Sequence, residues 1–364
     1  LAAYGRFLSS RADRLAPGIT AENMVPSGEG NPDIFCTYFG EGMSESVAVS
    51  QSRDGIRNFH ASGKVQASNH PGDMRLQRML GHITALSQEN PQSVLVVACG
   101  AGVTAGSFVA YPSIKRIVIC ELEKLVPAYV APRFKKENYD VVNDPRTEII
   151  IDDGRHFVRT TREKFDIITS DPVDPWIKGS AALYTEEYFR TCREHLNPGG
   201  AMALWIPFYE CSPAAIKSLI ATFFRVFPEG IIWSNDTLGE GYDAVLFGQA
   251  GPARIDVDAV QRRLERPDYL PAAQSLRETG FGSAIELFGT FAGYAPFLKE
   301  WVRGAQINSD RNLRLQYLAG TGFNYFLSAE ILDDIFRYYS FPKEIFLGSE
   351  ETILDLMDII ERRY

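Results

Sequence analysis

Two aspartates stand close together on a loop that proline residues stiffen. Asp171 and Asp174 lie three positions apart in the segment Asp171-Pro172-Val173-Asp174-Pro175, directly after an apolar run. Two carboxylates over one crevice would repel each other in a purely structural role, but together they suit the capture of an ammonium group. We therefore expect this loop to be functional.

A glycine-rich turn follows an earlier apolar run and precedes a predicted helix. It contains Cys99-Gly100-Ala101-Gly102-Val103. Glycine lets the backbone approach a nucleoside closely, and the start of a helix offers N–H groups that lack partners within the helix. Similar turns also serve as packing turns in unrelated α/β proteins, so this pattern needs support from other residues.

Two further acids supply that support. Glu121 ends the next apolar run, about 20 residues after the turn, where an acid can accept hydrogen bonds from ribose hydroxyls. Asp153 and Gly154 follow a third run, and the Asp153 carboxylate could accept the adenine amino group. A solvated acid at a strand end is the simpler interpretation of Glu121, and a helix N-cap is a compatible role for Asp153.

The elements that would position these residues form a repeating pattern. Runs that are apolar throughout alternate with helical spacing, which is typical of parallel strands buried on both faces. The runs are Ser93–Ala98, Arg116–Cys120, Glu148–Ile151, Asp166–Thr169 and Ala201–Ile206. We predict an α/β fold with a Rossmann-like doubly wound sheet, completed at one edge by an antiparallel pair, 230–233 and 244–247.

The rest of the chain divides around this core. We predict an initial segment at 1–33, a small N-terminal β unit with a connecting helix at 34–88, a catalytic domain at 89–250 and a helical C-terminal appendage at 251–364. Helical spacing marks the connecting helix at 73–87 and four segments of the appendage, 257–264, 271–279, 328–338 and 351–362.

Composition excludes several classes of protein. The net charge of −9 and the pI of about 5.2 disfavour nucleic-acid binding and favour a small cationic partner. The five cysteines are scattered without a C-x-x-C pair, and the five histidines lack ligand spacing, so we predict no metal site. No apolar run is long enough to cross a bilayer.

Several motifs in order resemble the spermidine synthase family of polyamine biosynthesis. Beside the turn and the acids above, they are Gly63–Ser68, Asp73–His82 and Leu183–Phe189, and the similarity covers roughly residues 34–250. The resemblance implies a class I S-adenosylmethionine-dependent transferase fold. It further implies an aminopropyltransferase that takes decarboxylated or intact S-adenosylmethionine as co-substrate, releases 5′-methylthioadenosine, alkylates a small amine, needs no metal and forms a homo-oligomer.

The resemblance also assigns roles to residues. In the donor site, Glu121 would hold the ribose, and Asp153 with Gly154 would hold the adenine. Asp171 would orient the attacking amine or accept its proton, and Asp174 would bind the distal charge of the acceptor. Asp171 would also contact the donor. The remaining donor-site residues implied are Gln66, Gln77, Gly100, Ala101 and Gly102, and the remaining acceptor-site residues are Asp73 and Tyr242.

Departures from the family pattern leave the substrates open. Ala101 stands where the turn of the family normally has an acid that binds the amine of a decarboxylated donor. Without that acid, the carboxylate of intact S-adenosylmethionine meets no like charge in the turn, so the intact donor is less disfavoured. Leu76 replaces a usual pocket tyrosine, and the loop at 234–243 lacks the tyrosine that binds the acceptor, although Tyr242 lies nearby.

Two other functions remain as alternatives. One is a different reaction of intact S-adenosylmethionine, namely methyl transfer, aminocarboxypropyl transfer, or cleavage or cyclisation of the donor. The other is a nucleoside-sensing module without turnover, which the retention of two aspartates disfavours. Segments 176–180 and 307–310 resemble a branch in which this domain follows a membrane region, so we expect a cytoplasmic protein or the cytoplasmic domain of a membrane protein.

Overall fold

The computed structural model describes residues 34–177, 179–237, 240–321 and 326–363, without the side chains of 237 and 240–241. The initial segment predicted at 1–33 lies outside these residues, as does Lys178. Within the described residues, no helix is both long and apolar enough to cross a membrane.

The N-terminal unit is an antiparallel sheet of four strands in chain order. Its strands are β1 (Ile34–Glu41), β2 (Ser46–Ser52), β3 (Arg57–Ala61) and β4 (Lys64–Ser68). Gly55 and Gly63 occupy the turns with positive φ angles, 91° and 82°, which glycine adopts without steric cost. A tight turn before β4 directs Lys64 and Gln66 back toward the larger domain.

The central sheet contains eight strands in the order β13-β10-β11-β9-β8-β5-β6-β7. Strands β5 to β9 are parallel, and β11, β10 and β13 continue the sheet antiparallel. The strands are β5 (Ser93–Val97), β6 (Arg116–Glu121), β7 (Thr147–Ile151), β8 (Phe165–Ser170), β9 (Leu196–Pro207), β10 (Ile231–Thr237), β11 (Glu240–Gln249) and β13 (Phe291–Tyr294). This architecture confirms the predicted fold class.

Helices cover both faces of the central sheet. In chain order they are α1 (Pro71–Leu86), α2 (Val103–Ser107), α3 (Gly154–Thr160), α4 (Glu186–Glu194), α5 (Pro213–Val226), α6 (Val257–Leu264), α7 (Leu270–Arg277), α8 (Ala284–Phe288), α9 (Arg314–Gly320), α10 (Ser328–Phe336) and α11 (Glu350–Glu361). Short 3₁₀ or π turns add Phe108–Ala110, Val126–Val130, Ala131–Phe134, Val141–Asn143, Ser180–Tyr184 and Pro267–Tyr269.

Strand β5 shows why its residues are apolar throughout. Val94 and Val96 pack into one hydrophobic cluster, whereas Leu95 and Val97 pack into another. Alternate side chains of a strand point to opposite faces, so both faces of β5 are buried under helices. This double burial is the physical basis of the pattern that predicted a doubly wound sheet.

The C-terminal part contributes more than the helices that the sequence predicts. Strand β13 extends the central sheet beside β10, and β12 (Ile255–Asp256) pairs with β14 (Phe346–Leu347). After α11, the guanidinium of Arg363 forms an ion pair with Asp236 at 2.5 Å and donates to the carbonyl of Phe291. The C-terminal part is thereby attached to the β10–β11 hairpin, and the boundary at residue 250 stays a prediction.

Candidate active site for a nucleoside donor and an amine

Asp171 lies where the order of the parallel strands reverses, between β5 and β8. Its backbone N–H donates to the carbonyl of Val97 at 2.9 Å, which holds the end of β8 against the end of β5. Ligands of open α/β sheets bind at this kind of switch point, outside the carboxyl ends of the strands. Asp171 is therefore placed at the ligand-binding edge of the sheet.

The glycine turn surrounds the Asp171 carboxylate. Gly100 has φ of +52°, and a Cβ atom added there would overlap Oδ2 of Asp171. On the other side, the hydroxyl of Thr104 donates to Oδ1 of Asp171 at 2.7 Å. Glycine at position 100 is thus required both by its backbone angle and by the close approach of the carboxylate.

Burial changes the acidity of Asp171. It raises the pKa to about 8, a rise that the Thr104 hydrogen bond opposes and the charge of Glu121 reinforces. A carboxyl group with this pKa exchanges a proton near neutral pH, which an ordinary surface aspartate does not do. Among the acids predicted for the site, this one has the properties of a general base.

Glu121 is buried at the end of β6, and both of its carboxylate oxygens are oriented by the backbone. Oε2 accepts from the N–H of Cys99 at 2.7 Å, and Oε1 accepts from the N–H of Glu123 at 2.9 Å. Burial raises the pKa of Glu121, and these backbone hydrogen bonds oppose the rise. The carboxylate is held in one orientation beside the glycine turn, as binding of a ribose would require.

Asp153 occupies the exposed N-cap of α3. Its Oδ1 accepts from the N–H of His156 at 2.8 Å, which is the capping geometry expected of an aspartate. A Cβ at Gly154 would overlap Cγ1 of Val97, so glycine permits close packing of α3 on β5. Asp153 and Glu121 follow neighbouring strands, β7 and β6, and so lie on the same edge of the sheet.

The side chain of Asn138 holds the other two residues of the glycine turn, Ala101 and Gly102. Ala101 is fully buried in the core, and its carbonyl accepts from the amide of Asn138 at 2.8 Å. A Cβ at Gly102 would come within 2.9 Å of the same amide nitrogen. Asn138 therefore fixes the backbone of the turn, a role that nothing in its local sequence indicates because it lies 37 residues away.

The two glutamines lie in different surroundings. Gln66 is half-buried and donates to Oδ2 of Asp174 at 3.3 Å. Gln77 is buried on α1 and donates to the carbonyl of Asp73 at 3.0 Å, while its own amide oxygen has no hydrogen-bond partner among the described residues. A buried amide oxygen without a partner costs free energy, which a ligand N–H could recover.

Asp174 is buried and already has a cationic partner within the chain. The ammonium of Lys64 lies 2.7 Å from Oδ2 of Asp174 and 3.2 Å from Oε2 of Glu210. The same ammonium lies 4.2 Å from the centre of the Trp176 ring, a cation–π distance. Burial raises the pKa of Asp174, and the charge of Lys64 opposes that rise.

A cavity of about 510 Å³ opens near the other predicted acceptor residues. Its lining comes from the start of α1, from the β10–β11 hairpin and from the segment after α7, namely residues 70–73, Arg75, Asn235, Tyr242 and residues 278–280. The volume suits a small organic molecule. We call this space the acceptor cavity.

Asn235, which lines the acceptor cavity, contacts a buried acid that the sequence did not predict for the site. Asp243 accepts from the indole N–H of Trp205 at 2.9 Å and from the amide of Asn235 at 2.8 Å. Burial raises its pKa to about 8; these hydrogen bonds oppose the rise and the charge of Asp73 adds to it. Asn235 also donates to the carbonyl of Gly72, so this network joins the hairpin to the start of α1.

Tyr209 connects the acceptor cavity with the loop of Asp174. It stacks on Tyr242 with ring centres 4.4 Å apart. Its pKa is raised first by burial and then by the charges around it, those of Asp243, Asp174 and Asp73 among them. Tyr209 thus stacks on one tyrosine and feels the charges of three acids, which makes an acidic and aromatic setting for an amine.

The structure thus brings the predicted residues into two neighbouring groups. One contains the glycine turn, Glu121, Asp153 and Asp171, and the other contains Gln66, Asp73, Asp174 and Tyr242. The missed residues are Lys64, Thr104, Asn138, Trp205, Tyr209, Glu210, Asn235 and Asp243. Among residues 34–177, 179–237, 240–321 and 326–363, no group of three or more His, Cys, Asp and Glu side chains is arranged to hold a metal ion.

The chain is similar to known polyamine aminopropyltransferases and spermidine synthases. The family model described as the spermine/spermidine synthase domain matches residues 73–228. Polyamine aminopropyltransferase of Leptospira biflexa is 29% identical over 185 residues, 51% of this chain and 65% of that protein. The enzyme of the same name from Nitrosomonas europaea is 36% identical over 40% of this chain and 45% of its own length. The chain therefore spans less than two thirds of these relatives.

Solved structures agree with the fold. Spermidine synthase in complex with the transition-state analogue AdoDATO matches with a TM-score of 0.59 and 21% identity, covering 73% of this chain and 88% of that one. Spermidine synthase from Thermotoga maritima matches with a TM-score of 0.54 and 22% identity, covering 67% and 87%. These matches confirm the fold, and the family model with the aminopropyltransferase relatives confirms the resemblance that the motifs indicated.

Proposed function

We propose that this chain, whose residues 73–228 match the family model of the spermine/spermidine synthase domain, alkylates an amine with an aminopropyl-type group. The donor would be decarboxylated or intact S-adenosylmethionine, and 5′-methylthioadenosine would leave. The observation that carries this proposal is the Asp171 carboxyl, buried against Gly100 with its pKa raised to about 8. The relatives named above support it because they are aminopropyltransferases.

Asp171 would act on the proton of the attacking amine. The amine nitrogen forms a bond to the donor's propyl carbon, the carbon–sulfur bond breaks, and the sulfur keeps the electron pair. The amine must lose one proton in this process, and a carboxylate with a pKa of about 8 is closer in basicity to an amine than an ordinary aspartate is. The sulfonium is the leaving group, so the proposed reaction needs no metal.

The donor would lie across the ends of β5 to β7. Glu121 would accept the ribose hydroxyls on the lone pairs that Cys99 and Glu123 leave free, and Asp153 with Gly154 would adjoin the adenine. Gly100 and Gly102 would allow the nucleoside to approach the backbone. The Gln77 amide oxygen, buried without a partner among the described residues, would accept from a donor N–H.

The acceptor would enter through the acceptor cavity. Asp73, Asp243 and the stacked Tyr209–Tyr242 pair would attract its charged nitrogen, and Asp174 would bind the distal charge once Lys64 is displaced or moved. Assembly into a homo-oligomer, attachment to a membrane region and the cellular compartment stay predictions.

A second candidate is a reaction of intact S-adenosylmethionine on the same site, such as methyl or aminocarboxypropyl transfer or cleavage of the donor. Ala101 favours it, because a buried methyl group stands where the family's turn normally presents an acid to the donor's amine. A nucleoside sensor without turnover is a third candidate, but a buried, high-pKa Asp171 has no purpose in binding adenosine alone.

Mass spectrometry of the products distinguishes these functions. The chain is incubated with each donor and with a panel of amines, and Asp171→Asn serves as the control. Methylthioadenosine together with an amine that has gained an aminopropyl group supports the proposal, whereas an amine that has gained the heavier aminocarboxypropyl group indicates the second candidate. S-adenosylhomocysteine indicates methyl transfer, and methylthioadenosine with unchanged amines indicates cleavage of the donor. No product with either donor contradicts an enzymatic function.

A further inference from the structure

Arg75 places a cationic group at the acceptor cavity. It lies on the first turns of α1, and its guanidinium rests on the ring of Phe281, with 4.1 Å between the central carbon and the ring centre. A Cβ added at Gly280, another lining residue, would lie 3.6 Å from Nη1 of Arg75. The aromatic ring therefore holds the guanidinium against the wall of the cavity.

No acid pairs with this guanidinium among the described residues. Its Nε is buried and has no hydrogen-bond partner in that part of the chain. The acids that influence it electrostatically, Asp236 and Glu286, have other partners, since Asp236 pairs with Arg363 and Glu286 accepts from the N–H of Gly282. Burial lowers the pKa of Arg75, because removing the guanidinium partly from water disfavours its charged form.

A polyamine offers nothing that would satisfy such a group. Every charged atom of a diamine is cationic and would be repelled by Arg75, so an acceptor of that kind would leave the guanidinium unpaired. Lys64 adds to the difficulty, because it already neutralises the Asp174 carboxylate that a second ammonium would need. A diamine would thus meet one cation in the acceptor cavity and a second at Asp174.

The cavity nevertheless also contains acids. Asp73 and Glu278 lie in the same lining as Arg75. A guanidinium binds planar oxyanions through two parallel hydrogen bonds, and a singly charged carboxylate suits this site better than a phosphate because the two acids would repel a dianion more strongly. The pattern of one cation and two acids complements a molecule with one carboxylate and two amines.

We infer that the acceptor is an amino acid with a side-chain amine, and that Arg75 binds its carboxylate while the acids receive its ammonium groups. This inference rests on the proposed function, because only an enzyme that transfers a group has an acceptor. Binding of the amino acid can nevertheless be measured without turnover. Arg75 is then a residue that determines specificity, and the C-terminal part is included in the site because Gly280 and Phe281 position the guanidinium.

A matched pair of ligands tests the inference directly. L-ornithine and putrescine are diamines with the same carbon spacing between their nitrogens, and they differ by one carboxylate. Calorimetric titration of both into the wild-type chain, with methylthioadenosine present, measures the preference. We expect ornithine to bind about 10–100-fold more tightly, the range of a hydrogen bond to a charged group.

Variants then assign the preference to one side chain. Arg75→Met keeps an unbranched chain on Phe281 and should weaken ornithine by about 10–100-fold without weakening putrescine. Arg75→Lys keeps the positive charge but loses the planar guanidinium that forms two parallel hydrogen bonds with a carboxylate. It should therefore retain part of the preference for ornithine over putrescine. Arg277→Met is the control, because Arg277 is exposed on the neighbouring α7 and should change neither ligand. Thermal melts verify that each variant is folded.

The result that would overturn the inference is equal or weaker binding of ornithine by the wild type, or a preference that survives in Arg75→Met. Product analysis separates this result from failure of the proposed function. Transfer of the alkyl group to putrescine but not to ornithine would support the proposed function and contradict the carboxylate site at Arg75. Arg75-dependent binding of ornithine without transfer from either donor would do the reverse.

Discussion

Nζ of Lys64 lies 2.7 Å from Oδ2 of Asp174, across 110 residues of chain. The second aspartate of the proline-rich loop is thereby neutralised before any substrate arrives, with Trp176 beneath the ammonium. Lys64 occupies the position that an acceptor's ammonium would take under the proposed function. This pairing makes the competition between Lys64 and an amine a measurable property of the site.

Lys64→Met should make the chain less stable and more responsive to amines. Loss of one partner of a buried pair leaves an uncompensated carboxylate, which costs roughly 3–5 kcal/mol of unfolding free energy. A diamine that reaches Asp174 would replace the lost ammonium, so putrescine should raise the melting temperature of Lys64→Met more than that of the wild type. Differential scanning calorimetry with and without putrescine measures this difference.

Lys217→Met provides the control for that experiment. Lys217 also pairs with an aspartate, Asp334 at 3.4 Å, and lies over the Trp301 ring, but it is more exposed and neither partner belongs to the site. Putrescine should raise the melting temperature of Lys217→Met no more than it raises that of the wild type. Equal responses of all three proteins would mean that no amine reaches Asp174.

Glu121→Gln should weaken binding of methylthioadenosine. The amide cannot accept from both backbone N–H groups in the way the carboxylate does, and it loses the charge that strengthens hydrogen bonds from the ribose hydroxyls. The expected cost is roughly 1.5–3 kcal/mol of binding free energy. Isothermal titration calorimetry tests it, with Glu148→Gln on the exposed edge strand β7 as the control. Unchanged affinity in Glu121→Gln would remove this residue from the donor site.

Asp171→Asn should lower turnover by about 10²–10⁴ while donor binding largely survives. Asparagine keeps the size and some hydrogen bonding with Thr104, but it does not accept a proton. In the wild type, kcat/KM should rise as the pH passes through about 8, because only the ionised form of Asp171 can act as a base. Steady-state kinetics over this pH range would refute the assignment if Asp171→Asn retained near-wild-type turnover.

Asp174→Asn should act on the acceptor instead. It weakens a charge-assisted contact to an ammonium, so the apparent KM for the amine should rise more than kcat falls. The two substitutions need not add, because the neighbouring acids share the substrate and the local field. A change confined to kcat would place Asp174 among the proton-transfer groups.

Stability should depend on pH through Asp171. Its pKa is raised from 3.8 to about 8 on folding, so between these values the folded state binds more protons than the unfolded state. The free energy of unfolding therefore falls as the pH rises through this window, by at most about 1.4 kcal/mol per pH unit for one group. Asp171→Asn should show a shallower fall in denaturant titrations from pH 5 to pH 8.

Asp355→Asn is the matched control for this measurement, since it removes one acid from the exposed face of α11. Its stability should follow the wild-type dependence on pH. Identical slopes in the wild type and in Asp171→Asn would show that the Asp171 carboxyl is not protonated in the folded state at neutral pH.

The sequence by itself determined the fold class and which predicted residues meet at one edge of the central sheet. Strands such as β5 are buried on both faces and must be apolar throughout, so they can be recognised in the sequence as continuous apolar runs. Because parallel strands end at one edge of the sheet, residues that directly follow them, including Gly100, Glu121, Asp153 and Asp171, could be placed near each other in advance.

Only the tertiary structure decided the contacts around Asp174 and the acceptor cavity. The Lys64–Asp174 pair, the Asp243–Trp205 contact and the position of Arg75 against Phe281 join residues that are 110, 38 and about 200 positions apart. No local pattern encodes such pairs, since they depend on how β4, the hairpin and the C-terminal part pack together. Burial then changed the chemistry, because Asp171 and Asp243 acquire raised pKa values only when packing removes them from water.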